Sequence, residues 1–301
     1  MTGQAARSGG SGHAAIIAPF GLLLDVDGPI ASPESRTIAH PSIVADLLTL
    51  AHAGVPVAFV TGRSDAFMRE QVVSRLLEHG MRDDAALFGV FEKGGAWAPI
   101  TAAGLGEVQL DPSVAIPAEA RAEVETIARD RFDHAMFVDE GKRVMVSLEQ
   151  RVDVSSEIYR GAQEKFEEAA FAALADRGLG IRHGDRVSAD SDGAVPFRID
   201  PTIISTDIES VRLDKDHGAE RAIHWFASRG VTAPRWYSVG DSRSDYLMAD
   251  HVHAVGLEAV HVDVRPADGV LDRPYPIDVR GDLVHDAAGA DFLRERVAAL
   301  R

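Results

Sequence analysis

Phe20-Gly21-Leu22-Leu23-Leu24-Asp25-Val26-Asp27-Gly28-Pro29 decides the fold of this 301-residue chain. The apolar run Phe20–Leu24 stops at a carboxylate, and Gly28-Pro29 then breaks the extended path. A short apolar run closed by turn residues predicts a strand buried on both faces of a parallel sheet. An acidic pair at its carboxyl end stands where open α/β sheets bind ligands.

The same grammar repeats outward from this stretch. Pro41 opens a helical stripe of Ile43, Leu47 and Ala51 that Gly54 closes. Val55–Val60 predicts a second strand ending at Thr61, followed by a helix from near Ser64. Late in the chain, Ala219, Ala222, Ile223 and Phe226 form a stripe just after Lys215. Trp236–Val239 runs as a strand into Gly240-Asp241, a helix follows over Tyr246–His251, Ala259–Val264 is another strand, and Asp291–Leu300 a last helix. Alternating β and α elements predict an α/β fold with a Rossmann-like parallel-sheet core.

The middle of the chain reads differently. Arg143–Leu148 alternates like a half-exposed strand, and Ile158, Ala162, Phe166 and Ala169 stripe a long helix opened by Ser155-Ser156. This predicts an inserted α+β cap domain over residues 97–206, between core segments 18–96 and 207–301, with residues 1–17 as a disordered tail.

Composition narrows the function. The net charge is −16 and shows no basic cluster, so nucleic acid is not an expected partner. No apolar run approaches the ~18 residues a membrane span needs, so no membrane partner is expected and the cytoplasm is the expected compartment. The chain has 0 cysteines, which excludes disulfides and thiolate metal sites. Oligomeric state is not legible in the sequence.

Four segments share one place in the fold, each at a strand end or helix start. They are Asp25-Val26-Asp27-Gly28, Thr61-Gly62-Arg63, Lys215, and Gly240-Asp241-Ser242-Arg243-Ser244-Asp245. Alone, each is ordinary: acidic turns and helix caps are common, and most lysines are solvated. Together they gather carboxylates that would repel one another unless a cation intervened. Mg2+ suits such hard oxygen ligands, and with Lys215 it would hold a phosphoryl group against a carboxylate able to attack it. A second carboxyl can protonate the leaving oxygen and then deprotonate water.

These segments, in this order, resemble the haloacid dehalogenase superfamily. The resemblance implies Asp25 as nucleophile, Asp27 as general acid/base, and Thr61 and Lys215 at the phosphoryl group; Gly62 and Arg63 complete the second motif as phosphate- or substrate-binding candidates, with Arg63 either reaching substrate or pairing with a nearby carboxylate. It further implies a magnesium site made by Asp25, the main-chain oxygen of Asp27, Asp241 and, beside the metal, Asp245. Thr61 to Lys215 spans 154 positions, room for a cap of the kind found in the sucrose-, trehalose- and mannosylglycerate-phosphate phosphatases and the Cof-type hydrolases. Phe91-Glu92-Lys93-Gly94-Gly95-Ala96 is similar to that branch's lead into the cap, whereas Ser244 departs from the Asn usual before the last Asp. The implied activity is phosphomonoester hydrolysis of a small phosphorylated metabolite, a sugar phosphate by default. A sugar phosphomutase or a silent metabolite-binding protein on the same scaffold are the alternatives.

Single residues outside these motifs carry plainer expectations. Lys142, Arg143, Arg160, Arg182 and Arg198 could meet an anionic or sugar substrate, but each alone reads better as part of a solvated face of the cap. His217 reads as a surface residue at a helix start, and Trp97, Trp225 and Trp236 as core or hinge packing.

Overall fold

The structure, a computed structural model, describes residues 16–300. The expected N-terminal tail lies outside the described residues as far as residue 15. Its last two positions, Ile16–Ile17, are not a free tail: they form β1, paired in parallel with β14 (Val231–Thr232).

Two large sheets organise the described residues. The larger is built on six parallel strands: β2 (Gly21–Leu24), β3 (Val57–Val60), β4 (Leu87–Phe91), β15 (Arg235–Gly240), β16 (Glu258–Asp263) and β17 (Ile277–Val279). They lie in the order β17-β16-β15-β2-β3-β4. Leu22 and Leu24 face one apolar cluster and Leu23 the other, as expected for a strand covered on both sides. Helices α1 (Pro41–His52), α2 (Asp65–Met68), α3 (Ser74–Glu78) and α8 (His285–Ala298) supply the first cluster. A π-helical turn, Arg69–Val73, joins α2 to α3. Helices α6 (Lys215–Ser228) and α7 (Tyr246–Ala254) supply the second.

The smaller sheet has the order β11-β10-β12-β13-β9-β8. Its strands are β8 (Met136–Val138), β9 (Val146–Gln150), β10 (Ile181–His183), β11 (Arg186–Ser188), β12 (Phe197–Pro201) and β13 (Ser205–Ser210). Helices α4 (Ala118–Arg131) and α5 (Ser156–Asp176) cover one face, with Val124, Phe166 and Leu174 packed on Val146, Leu148 and Ile208. This is the inserted α+β cap. Ser155 caps α5 by accepting the Ile158 N–H, as its sequence position predicts.

The cap edges expected at 97 and 206 do not follow sheet membership. β5 (Ala96–Thr101) pairs antiparallel with β4, and β6 (Gly104–Leu105) and β7 (Gln109–Leu110) pair with β5, so the core sheet runs on to Leu110. At the far end β13 keeps the chain in the cap sheet through Ser210. The strand expected over 143–148 starts only at Val146, because the N–H groups of Arg143, Val144 and Met145 all donate to the Glu92 carboxylate. Helix α4 had no clear sequence signal: its buried stripe is only Ala120, Val124 and Ala128. α8 starts at His285, ahead of the expected Asp291, because Ala288, Gly289 and Ala290 pack closely at its start.

Candidate active site

Strand order reverses between β2 and β15: the chain leaves β2 toward β3 and returns to β15 on the other side. Such a switch point opens a crevice at the carboxyl ends of the strands. β2 ends one residue before Asp25 and β15 one residue before Asp241, so the two acidic motifs meet there. A cavity of about 520 Å³ opens above them, lined from the core by Asp25, Asp27, Thr61, Gly62, Arg63, Lys215 and Asp241. The cap adds Lys142, Ser147, Glu149, Ser205 and Asp207. A larger groove of about 1220 Å³ lies on the outer side of the cap helices and holds none of these residues.

Lys215 is the hub. Its side chain is buried, with Nζ 2.6 Å from Asp25 Oδ1, 2.9 Å from Asp245 Oδ1, and donating to the Val60 carbonyl at 2.8 Å. Asp245 is fully buried beneath the cavity. Its Oδ2 accepts the N–H groups of Asp241 (3.1 Å) and Ser242 (2.9 Å) and the Ser242 hydroxyl (2.8 Å). Gly240 is required here, since a Cβ would lie 2.1 Å from Asp245 Cβ. Gly28 has φ +95°, and a Cβ there would lie 2.7 Å from Asp241 Cγ, so the turn after Asp27 closes onto the second acidic motif.

The electrostatics show a shortage of positive charge. Burial raises the Asp25 carboxyl well above the usual range and Asp245 adds to it, with Lys215 opposing. Burial and then Asp245 raise Asp241. Burial also pushes on Asp245, but Lys215 and the Ser242 bonds outweigh it and hold that carboxyl low. Lys215 is held above the ordinary ammonium range: burial opposes this, and Asp245 and Asp25 overcome it.

Thr61 is buried, and its Oγ1 accepts the Arg63 N–H at 3.0 Å. Gly62 gives its carbonyl to the ammonium of Lys142. Arg63 forks onto Asp27, donating from Nε to Oδ2 at 2.9 Å and from Nη2 to Oδ1 at 3.2 Å. The eight site residues expected from sequence therefore converge, seven on the cavity and Asp245 below it.

Other expectations change. Lys142 is buried against the Gly62 loop, not solvated. Arg143 holds both Asp65 oxygens, at 2.8 and 2.9 Å. Arg198 pairs with Glu209 and Asp214. Arg160 and Arg182 are exposed, as expected. His217 stands in the first turn of α6 as expected, but it is half-buried, packed near Gly94 and Arg221. The three tryptophans do pack: Trp236 in the core, Trp225 on Phe88, Trp97 under Arg221. Sequence reasoning marked Glu92 only as part of the lead into the cap and missed Glu149, Arg265 and His285. His285 starts α8 at φ 51° with Nδ1 3.6 Å from Asp241 Oδ2, and Arg265 comes within 3.9 Å of the same oxygen. No local pattern marks them, because each meets the site only through folding.

Asp25, Asp241 and Asp245 each offer an oxygen within 4.8 Å of the others. Three carboxylates around one ammonium, two of them (Asp25 and Asp241) with raised carboxyls, fit a hard divalent cation. Asp245 has both oxygens engaged, Oδ2 by three donors and Oδ1 by Lys215, whereas Lys215 meets Asp25 through Oδ1 and Asp241 has its nearest side-chain cations at 3.6 and 3.9 Å, so these two carboxylates are the better placed to hold an ion.

No protein-family model and no curated protein sequence matches this chain. Solved structures do. The C-terminal domain of Candida albicans trehalose-6-phosphate phosphatase superposes with a TM-score of 0.63 at 12% identity, over 94% of this chain and 93% of that one. A haloacid dehalogenase-like hydrolase from Bacteroides thetaiotaomicron gives 0.56 at 13% identity, over 93% and 98%. A structure described as conserving a trigonal-bipyramidal intermediate in a phosphoryl-transfer superfamily gives 0.53 at 15% identity, over 93% and 99%. Identities this low speak for the fold alone: the chain shares the fold of these structures, among them a haloacid dehalogenase-like hydrolase.

Proposed function

We propose that this haloacid dehalogenase-like chain is a magnesium-dependent phosphatase acting through a phosphoaspartate on Asp25. The observation that carries the reading is the convergence of Asp25, Lys215, Asp241 and Asp245 under one cavity roofed by the cap. Asp25 attacks phosphorus, forming an Oδ–P bond as the bond from phosphorus to the leaving oxygen breaks. Asp27 gives a proton to that oxygen, then takes one from the water that cleaves the phosphoaspartate and releases phosphate. Thr61 and the N–H groups around Gly62 hold the phosphoryl oxygens. Lys215 orients Asp25 and balances charge on the transferring group.

Asp25, Asp241 and the main-chain oxygen of Asp27 would hold the metal, with Asp245 fixing Lys215 and the Asp241-Ser242 turn beside it. Bound magnesium would supply charge neutralisation at the phosphoryl oxygens and between the carboxylates. The cap wall offers the hydroxyls of Ser147, Thr202 and Ser205, suited to a hydroxylated leaving group. A sugar phosphate is therefore the favoured substrate, in keeping with the trehalose-6-phosphate phosphatase that shares the fold.

The test is phosphate release from an aryl phosphate, then from a panel of sugar phosphates. Release should need magnesium, stop with EDTA, and vanish in Asp25→Asn. Normal turnover by Asp25→Asn would sink the covalent mechanism.

A further inference from the structure

The first turn of α8 comes down on the acidic end of the site. His285 opens that helix at φ 51°, a left-handed conformation sparsely populated by residues that bear a side chain and kept where the surroundings impose it. Its N–H donates to the Val264 carbonyl at 2.8 Å, and the Val264 N–H donates to the Gly240 carbonyl at 3.0 Å. His285 is therefore keyed, through one intervening residue, to the glycine directly before Asp241. Further along the turn, a Cβ on Gly289 would stand 1.9 Å from the Pro29 carbonyl oxygen, so the helix seats on the loop that follows Asp27.

The backbone so fixed aims the imidazole at Asp241. His285 Nδ1 is buried without a hydrogen-bond partner, and Asp241 Oδ2 stands 3.6 Å from it. An unpaired buried nitrogen is costly, and the strained backbone that leads it there adds to the cost. Starting a helix requires neither: Ser155 caps α5 from an ordinary extended conformation. The other cation near Oδ2, Arg265 at 3.9 Å, is committed to Asp268 through Nη2. A carboxylate that holds a metal through one oxygen commonly takes a hydrogen bond on the other, which fixes its orientation. The Nδ1–H of His285 stands where that donor is needed.

We propose that His285 is a positioning residue of the magnesium site: its Nδ1–H donates to Asp241 Oδ2 and holds that carboxylate turned to the ion. The proposal rests on the magnesium reading above. His285 touches neither the ion nor the phosphoryl group and acts through Asp241 alone. Magnesium demands oxygens in near-octahedral places and gives up its waters reluctantly, so it gains little from a carboxylate free to turn. Asp245 fixes the backbone of Asp241 and Ser242 from below by accepting both N–H groups, and His285 fixes the Asp241 side chain from beside it. The two together leave the carboxylate one orientation.

The test is the melting temperature of the full-length chain across a magnesium series, without substrate and against an EDTA baseline. An ion that binds the folded state raises that temperature by an amount set by its Kd. Glycine takes φ 51° without strain, so His285→Gly should melt in EDTA within a few degrees of the parent. Its magnesium Kd should rise about tenfold, within the ~10–100-fold that loss of such a partner costs. His285→Phe keeps a ring, drops the donor and should weaken magnesium as much. Asparagine tolerates the left-handed conformation and carries an amide N–H near the place of Nδ1, so His285→Asn should keep Kd within about threefold of the parent. A Kd within about twofold of the parent in either variant that lacks the donor would overturn the proposal. So would equal losses in His285→Asn and His285→Gly, as from packing alone. No magnesium-dependent rise in the unmutated chain, or an unchanged Kd in Asp241→Asn, would instead overturn the magnesium reading itself.

Discussion

Lys215 Nζ lies 2.6 Å from Asp25 Oδ1, although 190 positions separate them in the chain. Asp214 accepts the Lys215 N–H as α6 begins, and the ammonium reaches under β3 to the Val60 carbonyl, so its direction is fixed by three elements. Lys215→Ala should lower kcat by two orders of magnitude or more, about 3 kcal/mol by comparison with loss of one oxyanion donor. Steady-state kinetics at saturating magnesium decide it; a loss below about tenfold would remove Lys215 from the chemistry, since each ~1.4 kcal/mol is a factor of ten.

Two glycines of the motifs should respond oppositely to a methyl group. A Cβ on Gly240 meets the Asp245 side chain at 2.1 to 2.4 Å, whereas one on Gly62 meets nothing nearer than 3.9 Å. Gly240→Ala should cost about 1–3 kcal/mol as an overpacking change, and should displace Asp245 from Lys215. Gly62→Ala should melt within a few degrees of the parent, roughly the effect of a fraction of a kcal/mol. Matching thermal scans of the two variants would contradict the crowding at Gly240.

Glu92 should control the joint between core and cap. Its side chain is fully buried, and its carboxylate accepts three successive backbone N–H groups, those of Arg143, Val144 and Met145 at 2.9, 2.9 and 3.2 Å. Glu92→Ala leaves those donors unpaired, at about 1–3 kcal/mol for a buried group. Amide hydrogen exchange should speed up locally at residues 143–145 before the core strands are affected. Unchanged protection there would show that the carboxylate does not hold the segment.

His261 gives the protein an acid sensitivity of known sign. Its ring is fully buried between Ser238 and Tyr246, and burial pushes its pKa down to about 4. In the unfolded chain imidazole titrates near ~6.5. Between those values the unfolded state binds the extra proton, so stability present above pH ~6.5 falls as pH drops toward 4. The loss from this group is on the order of 3 kcal/mol at 1.36 kcal/mol per pKa unit. His261→Gln should flatten the melting temperature over that range, and an unchanged pH slope would contradict the assignment.

The chain was legible where one short segment carries its own meaning. Leu22 to Leu24 could only be a strand covered on both faces, and the residue following such a strand in a parallel sheet stands at a ligand crevice. Asp25, Thr61 and Asp241 were found that way, and Lys215 through the helix that follows it. What the tertiary structure alone decided depends on distant partners. The apolar pattern states that a face is buried without stating against what. β5 to β7 therefore read as cap while pairing with the core, and Val144 and Met145 read as strand while bonded to Glu92. Arg63 could be read as reaching substrate or as pairing with a carboxylate; the fold of the core decides for its fork onto Asp27, and the fold of the cap onto the core brings Glu149, 86 positions away, to its other side.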